Sequence, residues 1–404
     1  MFHAYQKPLA GSSVGVVFGS FAPLHQGHLD LIMRAKKEND GGVVVISCGF
    51  DGDKGEPLMP HKKRYRYVRE FFADDDKVAV YAINDTEIGA DNYPNGWTRW
   101  LEEFGRIWNK AVECKWNKVG TDPWGDDVCA PDSPQRVWYV GDKEYYEDLT
   151  TRNEQCVLVD RTADNPICAT MIRQNPIKHW DKITFPFRRV FSHNILICGT
   201  ASEGKTTLTQ DLGKYFNAPY SHEWARTYME ESCVSDWELD GADYMAFLEG
   251  QYNLNKQLIN SPANQGVFFA DTDSLVTRMY AEHYANDDSC ALTKEEFAKI
   301  AVMADELTRK SKWDKIFLVA PKGVFVDDHT RFMKHANMEE RAKLYDILCN
   351  NLKRCHLWDK VTVLDGGEYY KNFLTIKKYV GTYMANGLKE DDDGNMVVPV
   401  PASS

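Results

Sequence analysis

Short apolar runs alternate with amphipathic, helix-spaced segments along most of the chain. In the first half, residues 14–18 (VGVVF), 43–48, 78–83, 137–140 and 156–159 read as compact buried strands. Between several of them, residues 29–37 (LDLIMRAKK), 62–72 and 98–109 carry apolar positions at helical spacing. The second half repeats the scheme, with strands over 194–198, 266–270, 315–319 and 361–364 and helices including 242–259 and 294–307. Such alternation predicts an α/β protein built on two parallel sheets covered by helices. Ligands in these sheets gather beyond the carboxyl ends of the strands, which singles out residues 19–28, 48–54 and 140–142.

Residues 1–13 read as a flexible lead-in, and residues 386–404, acidic and then rich in Pro and Ser, as a solvated tail. The domains are expected over 14–185 and 186–385. The aromatic and basic segment 179–191 that joins them has little glycine or serine, which predicts a packed connection.

The clearest chemistry lies where the second domain opens. Its first strand runs into GTASEGKTT, with Gly199, four residues, then Gly204, Lys205 and Thr206: the phosphate-loop pattern. A helix starting at Lys205 would aim the backbone N–H groups of Ser202, Glu203, Gly204, Thr206 and Thr207 at phosphate oxygens. Downstream, an apolar strand ends in Asp271, Thr272 and Asp273, the place where such proteins keep a magnesium-side acid. Thr206 and Asp271 are therefore the candidate Mg²⁺ ligands and Lys205 the phosphate-holding cation, with Asp273 assigned to the substrate side.

The first domain carries a different signature. After the strand over 14–18 comes GSFAPLHQGH, placing Gly19, Ser20 and Phe21 in a turn, with His25 and His28 at the start of a helix. There both imidazoles and the free N–H groups can face phosphate. Far downstream, Thr170 and Arg173 (TMIR) fall one helical turn apart, so a hydroxyl and a guanidinium can grip one phosphate. Zinc is the competing use of the histidine pair, disfavoured by the lack of a nearby cysteine or acidic third ligand. Residues 93–97 (YPNGW) read as a turn ending in a core tryptophan. Acids beside arginine, as in Glu223–Arg226 or DDHTR over 327–331, fit a site or a surface ion pair equally.

A net charge of −12 and a pI near 5.5 argue against a broad nucleic-acid surface and favour small phosphorylated ligands. The ten cysteines form no C-x-x-C pair, which points to reduced thiols and an intracellular, cytoplasmic protein. No window resembles a signal peptide or a membrane span.

GSFAPLHQGHLDLI, PNGWTRW, YVGDKEYYEDL and ICATMIRQNP resemble the nicotinamide mononucleotide adenylyltransferase domain of the NadR-type bifunctional proteins. FRRVFSHNILICGTASEGKTTL, SHEWARTYMEE, VFFADTDSLVTRMYAEHY and GVFVDDHTR resemble that family's ribosylnicotinamide kinase domain. The likeness covers nearly the whole chain, with the motifs in family order. It implies a Rossmann-like nucleotidylyltransferase fold followed by a P-loop kinase fold. Cys168 departs from the serine more common in the family's I-S-x-T-x-I-R motif. Some members begin with a helix-turn-helix repressor domain, for which the residues before the first strand leave no room, so DNA is not an expected partner.

The resemblance implies that the second domain phosphorylates nicotinamide riboside from ATP and that the first joins the mononucleotide to AMP from another ATP, giving NAD and pyrophosphate. It puts His25 and His28 on the reacting α-phosphate, Thr170 and Arg173 on the leaving pyrophosphate, Gly141 and Asp142 at the adenosine, and Asn95 and Trp97 at the nicotinamide. Glu223 and Arg226 would handle the riboside, with Asp327, Asp328 and Arg331 on a far wall or lid. The competing readings are a sensor of NAD or ATP and a class I aminoacyl-tRNA synthetase, whose K-M-S-K-S-like string is missing. Self-association is left open.

Overall fold

The computed structural model describes residues 6–56, 58–121, 127–160, 166–322, 337–387, 389–390 and 396–397. They fall into two units, Met1–Val190 and Phe191–Ser404.

The first unit runs β1 (Ser13–Gly19), α1 (Gln26–Glu38), β2 (Val43–Gly49), α2 (His61–Phe71), β3 (Val78–Asn84), α3 (Trp97–Ala111), β4 (Lys115–Thr121), β5 (Asp127–Asp132), β6 (Gln135–Val140), α4 (Lys143–Thr151), β7 (Gln155–Leu158) and α5 (Ala169–Gln174), with α6 (Phe185–Phe191) at its end. Five strands pair in parallel in the order β3-β2-β1-β6-β7. The chain winds outward from β1 to β3, then returns to the other side of β1. The switch point, and the crevice such a reversal creates, therefore lies between the carboxyl ends of β1 and β6. The antiparallel hairpin β4–β5 stands apart from this sheet.

Helix α3 covers one face. Trp97, Trp100, Phe104, Ile107 and Trp108 recur at helical spacing and are all buried, packing on Trp138 of β6. Each such side chain stabilises the fold by roughly 1.5–3 kcal/mol on leaving water. Residues 6–13, expected to be flexible, are tied down from Gln6 onward because an apolar side chain there finds the core. Leu9 is buried and bridges to Val112, donating to Ala111 O at 2.8 Å, while Gln6 Oε1 accepts from Val80 N–H at 2.9 Å. Trp180, Ile183 and Phe187 are buried too, as a packed connection requires.

The second unit runs β8 (His193–Gly199), α7 (Lys205–Phe216), β9 (Tyr220–Ser221), α8 (Trp224–Ser232), α9 (Gly241–Ile259), β10 (Val267–Ala270), α10 (Ser274–Tyr284), α11 (Lys294–Lys310), β11 (Lys315–Val319), α12 (Met338–Arg354), β12 (Val361–Leu364) and α13 (Tyr369–Asn386), before the short pair β13 (Lys389–Glu390) and β14 (Met396–Val397). Its sheet is also all parallel, in the order β12-β11-β8-β10-β9. Every residue of β8 is buried, as expected of a central strand with helices on both faces. Among the described residues, no helix is long and apolar enough to cross a membrane.

Candidate functional sites

In the first unit, β1 delivers the chain into a turn where Phe21, fully buried, adopts a left-handed φ of 45°. A bulky residue reaches that region only when its surroundings hold it there. The turn hands over to α1, with His25 as its N-cap, and His28 lies one turn into the helix. Their rings stack at 3.8 Å between centroids, and Phe21 meets His28 edge-on at 5.1 Å. The segment after α5 braces this loop from behind. Thr184 Oγ1 donates to Leu24 O at 2.9 Å, Gln26 Nε2 to Asp181 O at 3.2 Å, and His25 bridges to Ile183.

Arg173 joins the same brace: Nη1 donates to Ala22 O at 2.5 Å and Nη2 to Thr170 Oγ1 at 3.1 Å. Thr170 and Arg173 are thus brought together on α5, as their spacing predicts, and against the histidine loop. Cys168 caps α5 without a side-chain hydrogen bond, where a serine hydroxyl could have supplied one.

Beyond these strand ends opens a cavity of about 940 Å³. Gly19, Ser20, His25, His28, Gly141, Asp142 and Thr170 border it, and so does Trp97, which is both core and wall. Asn95 is exposed and is not among the residues bordering it, whereas Asp91, Asn92 and Tyr93 of the same turn are. Sequence reasoning reached Asp53 only as part of the 48–54 strand end and missed Arg64. Arg64 is fully buried and pairs with Asp53, donating also to Met59 O at 2.8 Å and Cys48 O at 3.3 Å, and so pins the loop after β2 on the cavity's edge.

In the second unit, Gly199 leaves β8 with φ 149° beneath Val319 O, where any Cβ would sit 2.6 Å from that oxygen, and Gly204 caps α7 with φ 73°. These two positions require glycine for the loop to wrap around an anion. Lys205 Nζ donates to Thr200 O at 2.7 Å. Thr206 Oγ1 donates to Asp271 Oδ2 at 2.5 Å, and Asp271 Oδ1 is buried with no hydrogen-bond partner. Burial raises the Asp271 carboxyl to about 6, against the opposing pull of Lys205.

Ser202 and Thr207 take their expected places in the loop and the first turn of α7, Ser202 with φ 59°. The Glu203 side chain turns inward to a buried ion pair with Arg341 of α12, which also donates to Ala201 O at 3.1 Å. Arg341, 138 residues away, gave no signal in the sequence. Asp273 departs from its expected substrate role. Its carboxylate caps α10 by accepting from Leu275 N–H at 3.0 Å and takes the Trp313 indole N–H at 2.7 Å, so both oxygens hold structure together. Burial raises its carboxyl to about 6 as well.

Glu223 caps α8 and lies 3.9 Å from Arg226. Both border a pocket whose walls include Tyr244, Phe247, Tyr280 and Thr272, the neighbour of Asp271. Gln251 ties this pocket to the strand ends, accepting from Trp224 N–H at 2.8 Å and donating to Asn255, which in turn reaches Thr272 O at 3.4 Å. Asp328 and Arg331, with Asp327, lie outside the described residues. Among the described residues, no group of three or more His, Cys, Asp or Glu side chains is arranged to hold a metal.

Residues 16–175 match a cytidylyltransferase-like family and residues 194–368 an AAA domain family. The chain is 28% identical over 294 residues to the trifunctional NAD biosynthesis/regulator protein NadR of Salmonella typhimurium and 27% identical over 299 residues to that of Escherichia coli. It spans 66% of the length of these curated relatives, which cover 70% of it. A crystal structure of NadR protein in complex with NR superposes with a TM-score of 0.77 at 32% identity, covering 95% of this chain and 98% of the other. A second, of NadR protein in complex with NAD and AMP-PNP, gives 0.75 at 33% identity, covering 93% and 98%.

Proposed function

The chain belongs to the NadR family, and we propose that it makes NAD from nicotinamide riboside in two ATP-dependent steps, one in each unit. The observation that carries this reading is that each unit has its own strand–loop–helix phosphate cradle opening beside its own aromatic-walled pocket.

In the second unit the riboside occupies the pocket bordered by Glu223, Arg226, Tyr244 and Phe247 and presents its 5′-hydroxyl to the γ-phosphate of ATP. The hydroxyl oxygen bonds to phosphorus and gives up its proton to solvent, the bond to the β-bridging oxygen breaks, and ADP leaves. Lys205 and the N–H groups of the loop hold the β and γ phosphates. A hydroxyl and a carboxylate, one of whose oxygens is buried and unmatched, are the hard oxygen donors that Mg²⁺ prefers, so Thr206 and Asp271 would hold it. When bound, the ion neutralises phosphate charge.

In the first unit the mononucleotide's phosphate oxygen attacks the α-phosphorus of ATP, and pyrophosphate departs. No nucleophilic side chain is needed. His25 and His28 stabilise charge on the α-phosphate at the α1 N-terminus, and Arg173 with Thr170 answers that on pyrophosphate. Trp97, with Tyr93 beside it, supplies a face for the pyridine ring, and Gly141 and Asp142 border the adenosine end.

Product analysis tests both steps. With ATP and Mg²⁺, riboside is expected to yield the mononucleotide and ADP, then NAD and pyrophosphate, and added mononucleotide to yield NAD directly. Failure of either substrate to react removes the assignment of the corresponding unit.

A further inference from the structure

We propose that Asp85 selects the oxidised, amide-bearing pyridinium in the first unit, by placing an uncompensated carboxylate among the rings that receive it. The inference rests on reading the cavity as the mononucleotide site. Asp85 follows β3 at the carboxyl end of the sheet, its N–H bound to Gly49 O and its carbonyl to Ala90 N–H, both at 2.8 Å. It borders the cavity together with Tyr93, Trp97, Trp100 and Tyr145. Those rings pack closely: Tyr93 on Tyr145 at 4.5 Å, Trp97 on Trp100 at 4.9 Å and Trp97 on Tyr145 at 5.6 Å.

Asp85 Oδ1 is shut off from solvent and has no hydrogen-bond partner. Burial lifts its carboxyl to about 6. Its charge helps raise the Tyr145 hydroxyl and the Cys48 thiol, both of which border the same cavity. A carboxylate left short of partners beside stacked π-faces is complementary to a planar aromatic cation, through the ring quadrupoles and through direct attraction.

The pyridinium of the mononucleotide carries one positive charge when its substituent is a carboxamide. The nicotinic acid analogue is neutral at that end and brings a carboxylate of its own, while the reduced dihydropyridine has no ring charge. Only the first therefore gains the charge attraction of Asp85.

The test measures kcat/KM for adenylylation of these three compounds by the full chain and by Asp85→Asn. The variant is expected to lose about tenfold on the oxidised amide, mainly through KM, to stay within about twofold on the reduced form, and to gain on the acid analogue. An unchanged preference, or an equal loss on all three, overturns the proposal. The unsubstituted chain gives a second check that needs no variant: it is expected to use the oxidised amide about tenfold better than the reduced form, and equal use overturns the proposal. If it adenylylates none of the three, the mononucleotide-site reading itself falls.

Discussion

Thr206 Oγ1 and Asp271 Oδ2 meet at 2.5 Å across 65 residues of sequence. The contact follows from the sheet: β8 and β10 are parallel neighbours with Leu196 opposite Ala270, so the loop that leaves one strand faces the acid that ends the other. The pairing leaves Asp271 with one satisfied oxygen and one buried, unmatched oxygen. Such an arrangement costs stability in the absence of a ligand and is useful in its presence.

Asp271→Asn should therefore stabilise the ligand-free chain while abolishing riboside phosphorylation. The Asp271 carboxyl is raised from 3.8 to about 6, so its contribution to stability is complete below pH 3.8 and lost as pH rises through 6. The variant escapes that loss. Denaturant titration without Mg²⁺ should show it more stable than the parent by about 2–3 kcal/mol at pH 8, with the gap closing near pH 4.

The same ionisation sets the pH profile of the phosphoryl-transfer step. A protonated Asp271 cannot serve a metal ion, so kcat/KM for riboside should fall as pH drops through about 6, with the limb moving lower as Mg²⁺ is raised. Initial rates across pH at two Mg²⁺ concentrations check this.

Buried support for the phosphate loop comes from Arg341, whose partner Glu203 is equally inaccessible. Removing the arginine takes an ion-pair partner from a carboxylate whose side chain is shut off from solvent. Arg341→Met is expected to lower the unfolding free energy of the second unit by about 3–5 kcal/mol, and the double variant with Glu203→Gln to recover most of it. Denaturant curves of the three chains measure the difference.

How much of this was legible beforehand follows from the range of the interactions involved. The two central strands, the phosphate loop and the histidine loop are local patterns, so β1, β8 and the starts of α1 and α7 fall where apolar runs and glycines put them. Arg64, Arg341 and Asp85 gave no signal. Two sit on helices rich in charge, where a buried arginine reads like a solvated one until the partner arrives through the sheet. Helix α10 buries Ser274 and Thr277 along with its apolar residues, so its buried positions do not read as an apolar stripe. The hydrogen bonds of Asp273 were hidden for a related reason: sequence order does not fix which of two neighbouring acids is taken by a helix cap and an indole.

Arg173 grips Ala22 O and Thr170 Oγ1 with two different nitrogens, so its planar fork matters as well as its charge. Arg173→Ala is expected to lower kcat/KM for adenylylation by about 100-fold or more and Arg173→Lys by about tenfold, with riboside phosphorylation unchanged in both. Pyrophosphate release measured alongside ADP release separates the two steps.

If each unit works through its own cradle, the lesions must separate. Lys205 lies at the start of α7 and contacts Thr200 of the same loop, and His28 lies on α1 against His25 and Phe21. Lys205→Ala should abolish formation of the mononucleotide and leave its adenylylation within about twofold. His28→Ala should lower adenylylation by about 100-fold and leave phosphorylation intact. Mixing the two variants should then restore NAD formation from riboside, because the mononucleotide released by the His28 variant is a substrate for the other. Loss of both reactions in either folded variant, or no NAD from the mixture, would contradict the assignment of one reaction to each unit.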